Sequence, residues 1–438
     1  MRTSRITCAV LLAIATQSTF AQPPEQPLVL TGATIIDGTG APRAPNMTIV
    51  IESGRITQIF RDAERSLPAN ATIEDLRGHY VIPGLIDAHV HVNATHLENG
   101  TMRRILRGGV TAVRNMVGNC EVLRDLASRA ASGAIESPDV YYSAVVGGEE
   151  MMADPRRTRR NAGGAGPQAD TPCGHLVRDS LDPVTMIASA RRDGVTGMKL
   201  YAAISAADAT RISEEAHRQG LVVWAHAALF PAKPSEVVQA GADVLSHAAY
   251  LSWEIVDSLP SYRNRVRGAP VLAGLPDDPA VERTLRTMAE RGVILDATLH
   301  LFHAQVARTE PSPNPDFQVG RDTLEAVARW ADAVTRRAHE LGVLVSAGTD
   351  GKGAESEGSL PNLHVELELL VNQAGFSPLE AIRSATSIAA RTMRLEQQRG
   401  TIAEGKLADL VVLRSDPTAD ISNTRDIAFV IKRGRVIE

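Results

Sequence analysis

Residues 84–91 read Gly-Leu-Ile-Asp-Ala-His-Val-His, an apolar run that closes on two histidines two positions apart. Side chains two positions apart on a β-strand point to the same face, so a strand here directs His89 and His91 toward one point. Two imidazoles aimed at one point suit a divalent metal ion. The pair alone is a weak signal, because a chain of this length with 12 histidines contains about 0.3 such pairs by chance. Its meaning depends on the fold around it.

Seven further short apolar runs follow along the middle of the chain, and glycine precedes many of them. Helical patterns lie between them, for example over residues 206–219 and 323–341. Strands that alternate with helices indicate parallel βαβ units, and eight units favour a closed (β/α)8 TIM barrel of the α/β class over an open sheet. The predicted strands are Leu85–His91, Val110–Met116, Val140–Val146, Val195–Tyr201, Leu221–Ala227, Val244–Ala248, Val293–Leu299 and Val343–Ala347.

Both ends of the chain instead carry short alternating apolar stretches broken by turn residues, such as 37–40 near the start and 433–434 near the end. This pattern predicts small antiparallel sheets. Because neither segment can bury a core alone, we expect them to pair into one small β-sandwich beside the barrel. The predicted division is a signal peptide at 1–21, sandwich strands at 22–82, the barrel at 83–395 and further sandwich strands at 396–438.

The first residues are typical of a secretory signal. Arg2 and Arg5 precede an apolar run, Cys8–Ala15, and small residues lead to a cleavage site near Ala21. A membrane anchor is the alternative, but the run is far shorter than the roughly 20 residues that a span needs. We therefore predict a periplasmic or secreted protein.

Removal of the signal leaves two cysteines, Cys120 and Cys173. An exported protein can keep a disulfide, and both cysteines fall in loops predicted on the same face of the barrel. A Cys120–Cys173 bridge and two unrelated thiols are both consistent with the sequence.

Composition excludes several classes of partner. The formal net charge is -5, which gives no basic footprint for nucleic acid or an anionic membrane. No Gly-rich nucleotide loop appears in a strand–helix context. We expect a small-molecule substrate, no nucleic acid and no membrane partner, and leave a homo-oligomer open.

Other predicted strands also end in polar side chains. Lys199 lies late in the fourth strand, His226 ends the fifth, His247 ends the sixth and Asp350 follows the eighth. Active sites of barrel enzymes lie at the carboxyl ends of the strands, where these residues converge with His89 and His91. A lysine that points into a barrel is costly without a partner, so Lys199 calls for a specific role.

With this set the chain resembles the amidohydrolase superfamily, in its imidazolonepropionase-like and Xaa-Pro or Xaa-Arg dipeptidase-like branch. Residues 84–91 match the first-strand motif, and residues 400–410 match the return of the chain into the sandwich. The resemblance covers nearly the whole mature chain and implies two divalent metal ions, with zinc as the first choice. It implies that His89, His91 and Asp350 hold the buried metal, that His226 and His247 hold the outer one, and that carboxylated Lys199 bridges both.

The chemistry implied by the resemblance is hydrolysis of an amide or peptide-like C–N bond of a small substrate. A metal-bridging hydroxide is the expected nucleophile, and Asp350 is the expected general base and acid. An esterase, lactonase or carbamate hydrolase would use the same binuclear site. A one-metal deaminase or imidazolonepropionase-like enzyme is a further alternative, against which Lys199 speaks, and an inactive periplasmic binding protein is the last.

The sequence indicates the residues that contact substrate less specifically than it indicates the metal ligands. Tyr201 shares a strand face with Lys199, Tyr250 follows His247, and Arg114 ends the second strand, so we predict these three as substrate contacts. Four more histidines lie at or beyond strand ends and are predicted to line the pocket: His96, His175, His300 and His303.

Two segments depart from the resemblance or lie beyond its reach. Residues Glu149 and Glu150 stand where dipeptidase-like relatives carry a histidine, which puts the usual substrate contacts in doubt. Long loops at 147–175 and 251–279 are predicted to cover the barrel mouth. His364 resembles a supporting position near the metals, with helix packing as the alternative.

Overall fold

The computed structural model of the chain describes residues 26–98, 100–153, 173–265, 270–271, 274–310, 318–354 and 358–437. The predicted signal peptide at 1–21, with its cleavage at Ala21, lies outside the described residues. Within the described part of the chain, no helix is both long enough and apolar enough to cross a membrane.

Seventeen strands are described, in two sheets. Their bounds are β1 Leu28–Ile35, β2 Ala44–Glu52, β3 Arg55–Arg61, β4 Thr72–Asp75, β5 Tyr80–Pro83, β6 Leu85–Val90, β7 Val110–Asn115, β8 Asp139–Gly148, β9 Gly174–Val177, β10 Gly197–Leu200, β11 Val222–His226, β12 Val244–Ser246, β13 Ile294–Asp296, β14 Val345–Ser346, β15 Leu410–Leu413, β16 Ile427–Lys432 and β17 Arg435–Ile437.

Eight parallel strands form the barrel, in the order β6, β7, β8, β10, β11, β12, β13 and β14. They coincide with the eight predicted strands, so the TIM-barrel prediction is confirmed. The barrel closes between its first and last strands, because the N–H of Ala88 on β6 donates to the carbonyl of Ala347 at 3.0 Å. A ninth strand, β9, pairs in parallel with the far end of β8 and was missed, since it begins in the last two residues of the predicted loop at 147–175.

Helices alternate with the barrel strands. Their bounds are α1 Ala94–Glu98, α2 Thr101–Arg107, α3 Cys120–Ser132, α4 Glu149–Met152, α5 Pro183–Arg192, α6 Ala206–Arg218, α7 Pro234–Gln239, α8 Pro279–Arg291, α9 Leu299–Ala307, α10 Arg321–Glu340, α11 Leu363–Asn372, α12 Pro378–Ser384 and α13 Ser387–Arg391. In the described residues, short 3-10 helices span Ala248–Glu254, Tyr262–Asn264 and Ile421–Arg425.

The sequence of α3 shows how individual residues determine the start, the end and the buried face of such a helix. The side chain of Asn119 accepts from the first free backbone N–H groups, and Gly133 ends the helix in the left-handed conformation at φ 74°. Leu123, Leu126 and Ala130 recur every three or four residues and are buried. This apolar stripe covers the neighbouring barrel strand β8.

Strands from both chain ends form the second sheet, in the order β17, β16, β15, β5, β1, β2 and β3, with β4 beside β1. The two ends meet where β5 pairs with β15, in a register that sets Pro83 opposite Leu410. This joining of the ends was expected. Contrary to the prediction from the sequence, the sheet is not antiparallel throughout, since β4 and β5 run parallel to β1. Both strands reach β1 by crossing connections instead of hairpins.

A buried charge cluster joins this sheet to the barrel. The carboxylate of Asp139, at the start of β8, lies 2.5 Å from Arg399, 2.8 Å from Lys432 and 2.7 Å from Arg433. Burial opposes ionisation of Asp139, but Arg399 and Lys432 outweigh it and hold its pKa at about 2. The ionised carboxylate thus ties β8 to the segment that returns from the barrel and to β16.

The two cysteines predicted to remain in the mature chain form a disulfide. Cys120, the first residue of α3, is bonded to Cys173 just before β9, with their Cα atoms 5.5 Å apart. Of the two alternatives, the structure therefore has the bridge, and it anchors the chain that leads into β9 on the barrel.

Candidate metal centre

The six predicted metal-ligand residues lie at the carboxyl-terminal mouth of the barrel. Three of them lie on strands: His89 on β6, Lys199 on β10 and His226 at the end of β11. His91 and His247 directly follow β6 and β12, and Asp350 lies four residues after the end of β14. Except for His91 and Asp350, which are partly exposed, they are buried. Parallel strands all end at this rim, so residues far apart in sequence become neighbours.

His89, His91 and Asp350 form the tightest group. The Oδ1 atom of Asp350 lies 2.6 Å from Nε2 of His91 and 3.4 Å from Nε2 of His89. One donor atom from each of the three residues lies within 4.8 Å of the other two. Two imidazole nitrogens and a carboxylate oxygen are donors that zinc and related divalent ions accept, so this group fits a metal ion.

His226 and His247 stand beside this group. Their ring centroids are 4.7 Å apart, and the His247 ring is 5.0 Å from that of His89. Nδ1 of His247 lies 3.9 Å from Oδ2 of Asp350 and 3.0 Å from Oγ1 of Thr298. The two histidines are thus adjacent to the first group without belonging to its 4.8 Å cluster.

Two of the predicted substrate residues flank the second histidine pair. The ring centroid of Tyr201 is 4.1 Å from that of His226. The Tyr250 ring lies 5.5 Å from His226 and 5.4 Å from His247. The tyrosines therefore form one wall of the same mouth.

Lys199 is fully buried at the base of the site, and its Nζ donates to Oγ of Ser246 at 3.0 Å. Burial lowers the pKa of Lys199 to about 7, an effect that Asp296 opposes. At neutral pH roughly half of this amine is therefore uncharged, which is the form that reacts with carbon dioxide.

The surroundings of the other side chains shift their pKa values toward the protonation states that bind a cation. Burial lowers the pKa of His89, and lowers that of His247 further, so both imidazoles are neutral at pH 7. Burial alone would raise the pKa of Asp350, but His89 and His91 outweigh it and bring that pKa far below its usual range. Neutral imidazoles and an ionised carboxylate are the protonation states that metal binding requires.

Asp296 on β13 is a site residue that the sequence analysis missed. Its Oδ2 atom accepts from Nδ1 of His89 at 2.7 Å, from Nη2 of Arg114 at 2.9 Å and from Oγ of Ser246 at 2.9 Å. Burial raises the pKa of this carboxyl, but His89 and Arg114 lower it more, and the net shift is downward. A charged residue inside the seventh apolar run was the signal available in the sequence.

Arg114 does not meet the prediction that it contacts substrate. Its side chain is fully buried, donates to Asp296 and to the carbonyl of Ala88, and stacks 5.0 Å from the Trp224 ring. The prediction was wrong because Arg114 lies within β7 and points into the barrel interior, where a buried cation needs a carboxylate.

The backbone at the mouth is held in an unusual conformation. Three non-glycine residues here have positive φ: His247 at 75°, Thr298 at 54° and Asp350 at 49°. Such conformations cost about 1–3 kcal/mol each and persist only where the surroundings enforce them. For Asp350 the enforcing contacts are its own N–H bond to the carbonyl of His89 at 2.9 Å and the bond from Oγ1 of Thr349 to Asp87 at 2.8 Å.

The remaining histidines have diverse partners. Nε2 of His364 is 2.9 Å from the carbonyl of Gly108 and its Nδ1 is 3.0 Å from Thr424, so it serves helix packing. His303 pairs with Asp332 at 3.0 Å, His96 with Asn93 at 2.7 Å, and Nδ1 of His300 lies 3.2 Å from the carbonyl of Thr349. His300 thus contacts the segment that carries Asp350, and His175 lies on β9.

The two loops predicted to cover the mouth meet each other. Oε2 of Glu150 on α4 accepts from the backbone N–H of Arg263 at 3.2 Å. Glu150 therefore has a partner in the loop after β12.

Comparison with known proteins places this site in context. A model of the Amidohydrolase family matches residues 80–437. Ochratoxinase from Aspergillus niger is 24% identical over 92% of this chain and 85% of its own length. The 5-methylthioadenosine/S-adenosylhomocysteine deaminase of Symbiobacterium thermophilum is 26% identical over 94% of this chain and 93% of its own. The crystal structure of a putative prolidase from Bifidobacterium longum superposes with a TM-score of 0.70 over 95% of both chains, at 25% identity.

Proposed function

Since the family match spans most of its length, this chain belongs to the amidohydrolase family, and we propose that it hydrolyses an amide or peptide-like C–N bond of a small substrate. The observation that carries the proposal is the convergence of His89, His91 and Asp350 at the barrel mouth. The names of two similar proteins, ochratoxinase and a putative prolidase, support a hydrolase of this kind.

The proposal includes two divalent metal ions, with zinc as the first choice. His89, His91 and Asp350 would hold one ion, His226 and His247 the other, and Lys199, carboxylated on Nζ, would lie between them. Bound ions of this kind lower the pKa of water and polarise a carbonyl. The half-neutral, buried amine of Lys199 supports the carboxylation.

The protein's own groups then handle protons and orientation. Asp350 is ionised and borders the open mouth, so it can accept a proton from water and return it to the leaving nitrogen. We assign Tyr201 and Tyr250 to substrate contacts, because both rings flank His226. The tight packing around His89 and Lys199 excludes water from the base of the site.

The experiment is metal analysis of the purified mature protein and of the variant Lys199→Ala, with hydrolysis followed on dipeptides and N-acyl amino acids. We expect about two metals per chain in the wild type, and fewer metals together with lost activity in the variant. Lys406→Ala is the matched control, since this lysine contacts Thr401 in the returning segment. About one metal per chain, unchanged by Lys199→Ala, would remove the carboxylated bridge from the proposal.

A one-metal deaminase is the second candidate, favoured by the similarity to the Symbiobacterium deaminase. Release of ammonia from adenosine derivatives, without cleavage of dipeptides, would select it. Ester, lactone or carbamate hydrolysis uses the same ligands and is tested by adding such substrates to the panel. A chain with no bound metal and no turnover would be the inactive binding protein.

We also propose export to the periplasm or the medium. The Cys120–Cys173 disulfide supports this, because disulfides form and persist in oxidising compartments. Mass spectrometry of the protein from the exported fraction tests it, with a mature chain that starts near residue 22 as the expected result. An intact chain retained in the cytoplasm would contradict it.

A further inference from the structure

Asp296 stands at the centre of a hydrogen-bonded network beneath the metal centre. A single oxygen, Oδ2, accepts from three donors that belong to β6, β7 and β12: His89, Arg114 and Ser246. Gly348 passes so close that a Cβ there would lie against Oδ1 of Asp296 and 2.8 Å from Cβ of His89. The close approach of Gly348 therefore restricts movement of this carboxylate on that side.

The first arm of the network fixes His89. A carboxylate only accepts hydrogen bonds, so the 2.7 Å contact requires a hydrogen on Nδ1 of His89. In a neutral imidazole the other nitrogen, Nε2, then keeps its lone pair. Nε2 is the atom that faces Asp350 at 3.4 Å, which is where the proposed metal would bind.

The second arm fixes Lys199. Oγ of Ser246 donates its one hydrogen to Asp296 at 2.9 Å, so its lone pairs are left for Nζ of Lys199 at 3.0 Å. The position of the lysine amine thus depends on Asp296 through a single intervening hydroxyl. Arg114 balances the charge of the carboxylate, with its Nη2 atom 2.9 Å from Oδ2 of Asp296.

We propose that Asp296 is a positioning residue for both halves of the metal centre: it presents Nε2 of His89 to one metal and, through Ser246, sets the amine of Lys199 between the two. This rests on the proposed function only in taking divalent metals as the ligands of the site. Hydrogen bonds to the outer side of metal ligands typically change metal affinity 10–100-fold.

The test compares Asp296→Asn and Ser246→Ala with the wild type, using zinc titration against a competing chelator and the visible absorption of the cobalt-loaded protein. For Asp296→Asn we expect 10–100-fold weaker binding of the tighter metal and a shifted cobalt spectrum. For Ser246→Ala we expect at least tenfold weaker binding of the second metal and a smaller loss of affinity at the tighter site, where His89 keeps its contact with Asp296. A purely structural role would alter unfolding and leave the spectrum unchanged.

Controls separate this proposal from misfolding and from the proposed function. Asp243→Asn breaks an equivalent His–Asp pair, with His217 at 2.8 Å, at the opposite end of the barrel and should bind metal as the wild type does. If Asp296→Asn does not fold, the double variant Arg114→Met/Asp296→Leu removes both buried charges and carries the same expectation. A folded Asp296 variant with wild-type affinity and spectrum overturns this proposal alone, whereas a wild type without metal overturns both.

Discussion

The lowered pKa of Lys199 leads to a quantitative prediction for its carboxylation. Only the uncharged amine attacks carbon dioxide, and burial brings the pKa of this lysine to about 7. A lysine in water, with a pKa of about 10.4, is roughly 0.04% uncharged at pH 7, against roughly half for Lys199. The buried amine therefore offers about a thousandfold more of the reactive form at neutral pH.

The assay follows carbamate formation in metal-free protein with 13C-labelled carbon dioxide, at one fixed concentration of dissolved gas. Below pH 7 the fraction of free amine rises with pH, so the initial rate should increase about tenfold per pH unit. Above pH 7 the amine is already free and the rate should level off. Lys199→Arg is the control and should lack the carbamate signal of Lys199, since the guanidinium stays charged, while any signal from other amines remains.

Two outcomes would refute the reasoning in different ways. A rate that keeps rising tenfold per unit to pH 9.5 would show that burial has not lowered the pKa of Lys199. A carbamate signal absent at every pH, in protein that still binds two metals, would show that the bridge between them is another group.

Three further predictions follow from the packing. Replacing Cys120 and Cys173 by alanine should lower the free energy of unfolding by about 4 kcal/mol, because the disulfide closes a loop of 53 residues. Denaturant titration measures this loss. Reductant should lower the stability of the wild type and leave that of the variant unchanged. Asp139→Asn should cost about 3–5 kcal/mol at pH 7, because the buried cations Arg399 and Lys432 and the partly exposed Arg433 lose their carboxylate. Folding lowers the pKa of Asp139 to about 2, so the ionised carboxylate stabilises the protein fully above about pH 4. The difference in free energy of unfolding between the wild type and Asp139→Asn should therefore shrink as the pH falls through 2. Equal free energies of unfolding at pH 7 would contradict this. Gly348→Ala should weaken zinc binding more than tenfold by displacing His89, as chelator competition would measure, whereas Gly320→Ala, with open space around it, should leave zinc affinity unchanged.

Local sequence patterns sufficed to predict most of the fold and the residues at the rim of the site. The eight strands were predicted because each is a short apolar run with a helical pattern before or after it, and the polar residues of the rim were located because they lie at the ends of such runs. Their assignment as metal ligands came from the resemblance to the amidohydrolase superfamily. Alternation along one strand sufficed to place His89 and His91 on the same face. These are relations over two to twenty residues, which one sequence displays.

Relations over longer distances were not accessible in the same way. Asp296 accepts from His89 and Arg114, which lie 207 and 182 residues earlier in the chain, and nothing local to any of them indicates the partner. Arg114 was consequently predicted to contact substrate, whereas the interior of the barrel supplies its carboxylate. The parallel pairing of β4 and β5 with β1 was missed for the same reason, because the direction of pairing depends on how the chain crosses over.

The junction of β5 with β15 has a consequence for how the molecule is assembled. Pro83 and Leu410 are partners in adjacent strands, yet nearly the whole barrel lies between them in the chain. Until the last strands are available, β5 presents an unpaired edge, the kind of surface on which extended chains aggregate. Contacts this distant in sequence also form slowly. The sheet that holds the two chain ends is therefore a late step in folding, and the loss of even the final 29 residues, 410–438, would leave that edge permanently open.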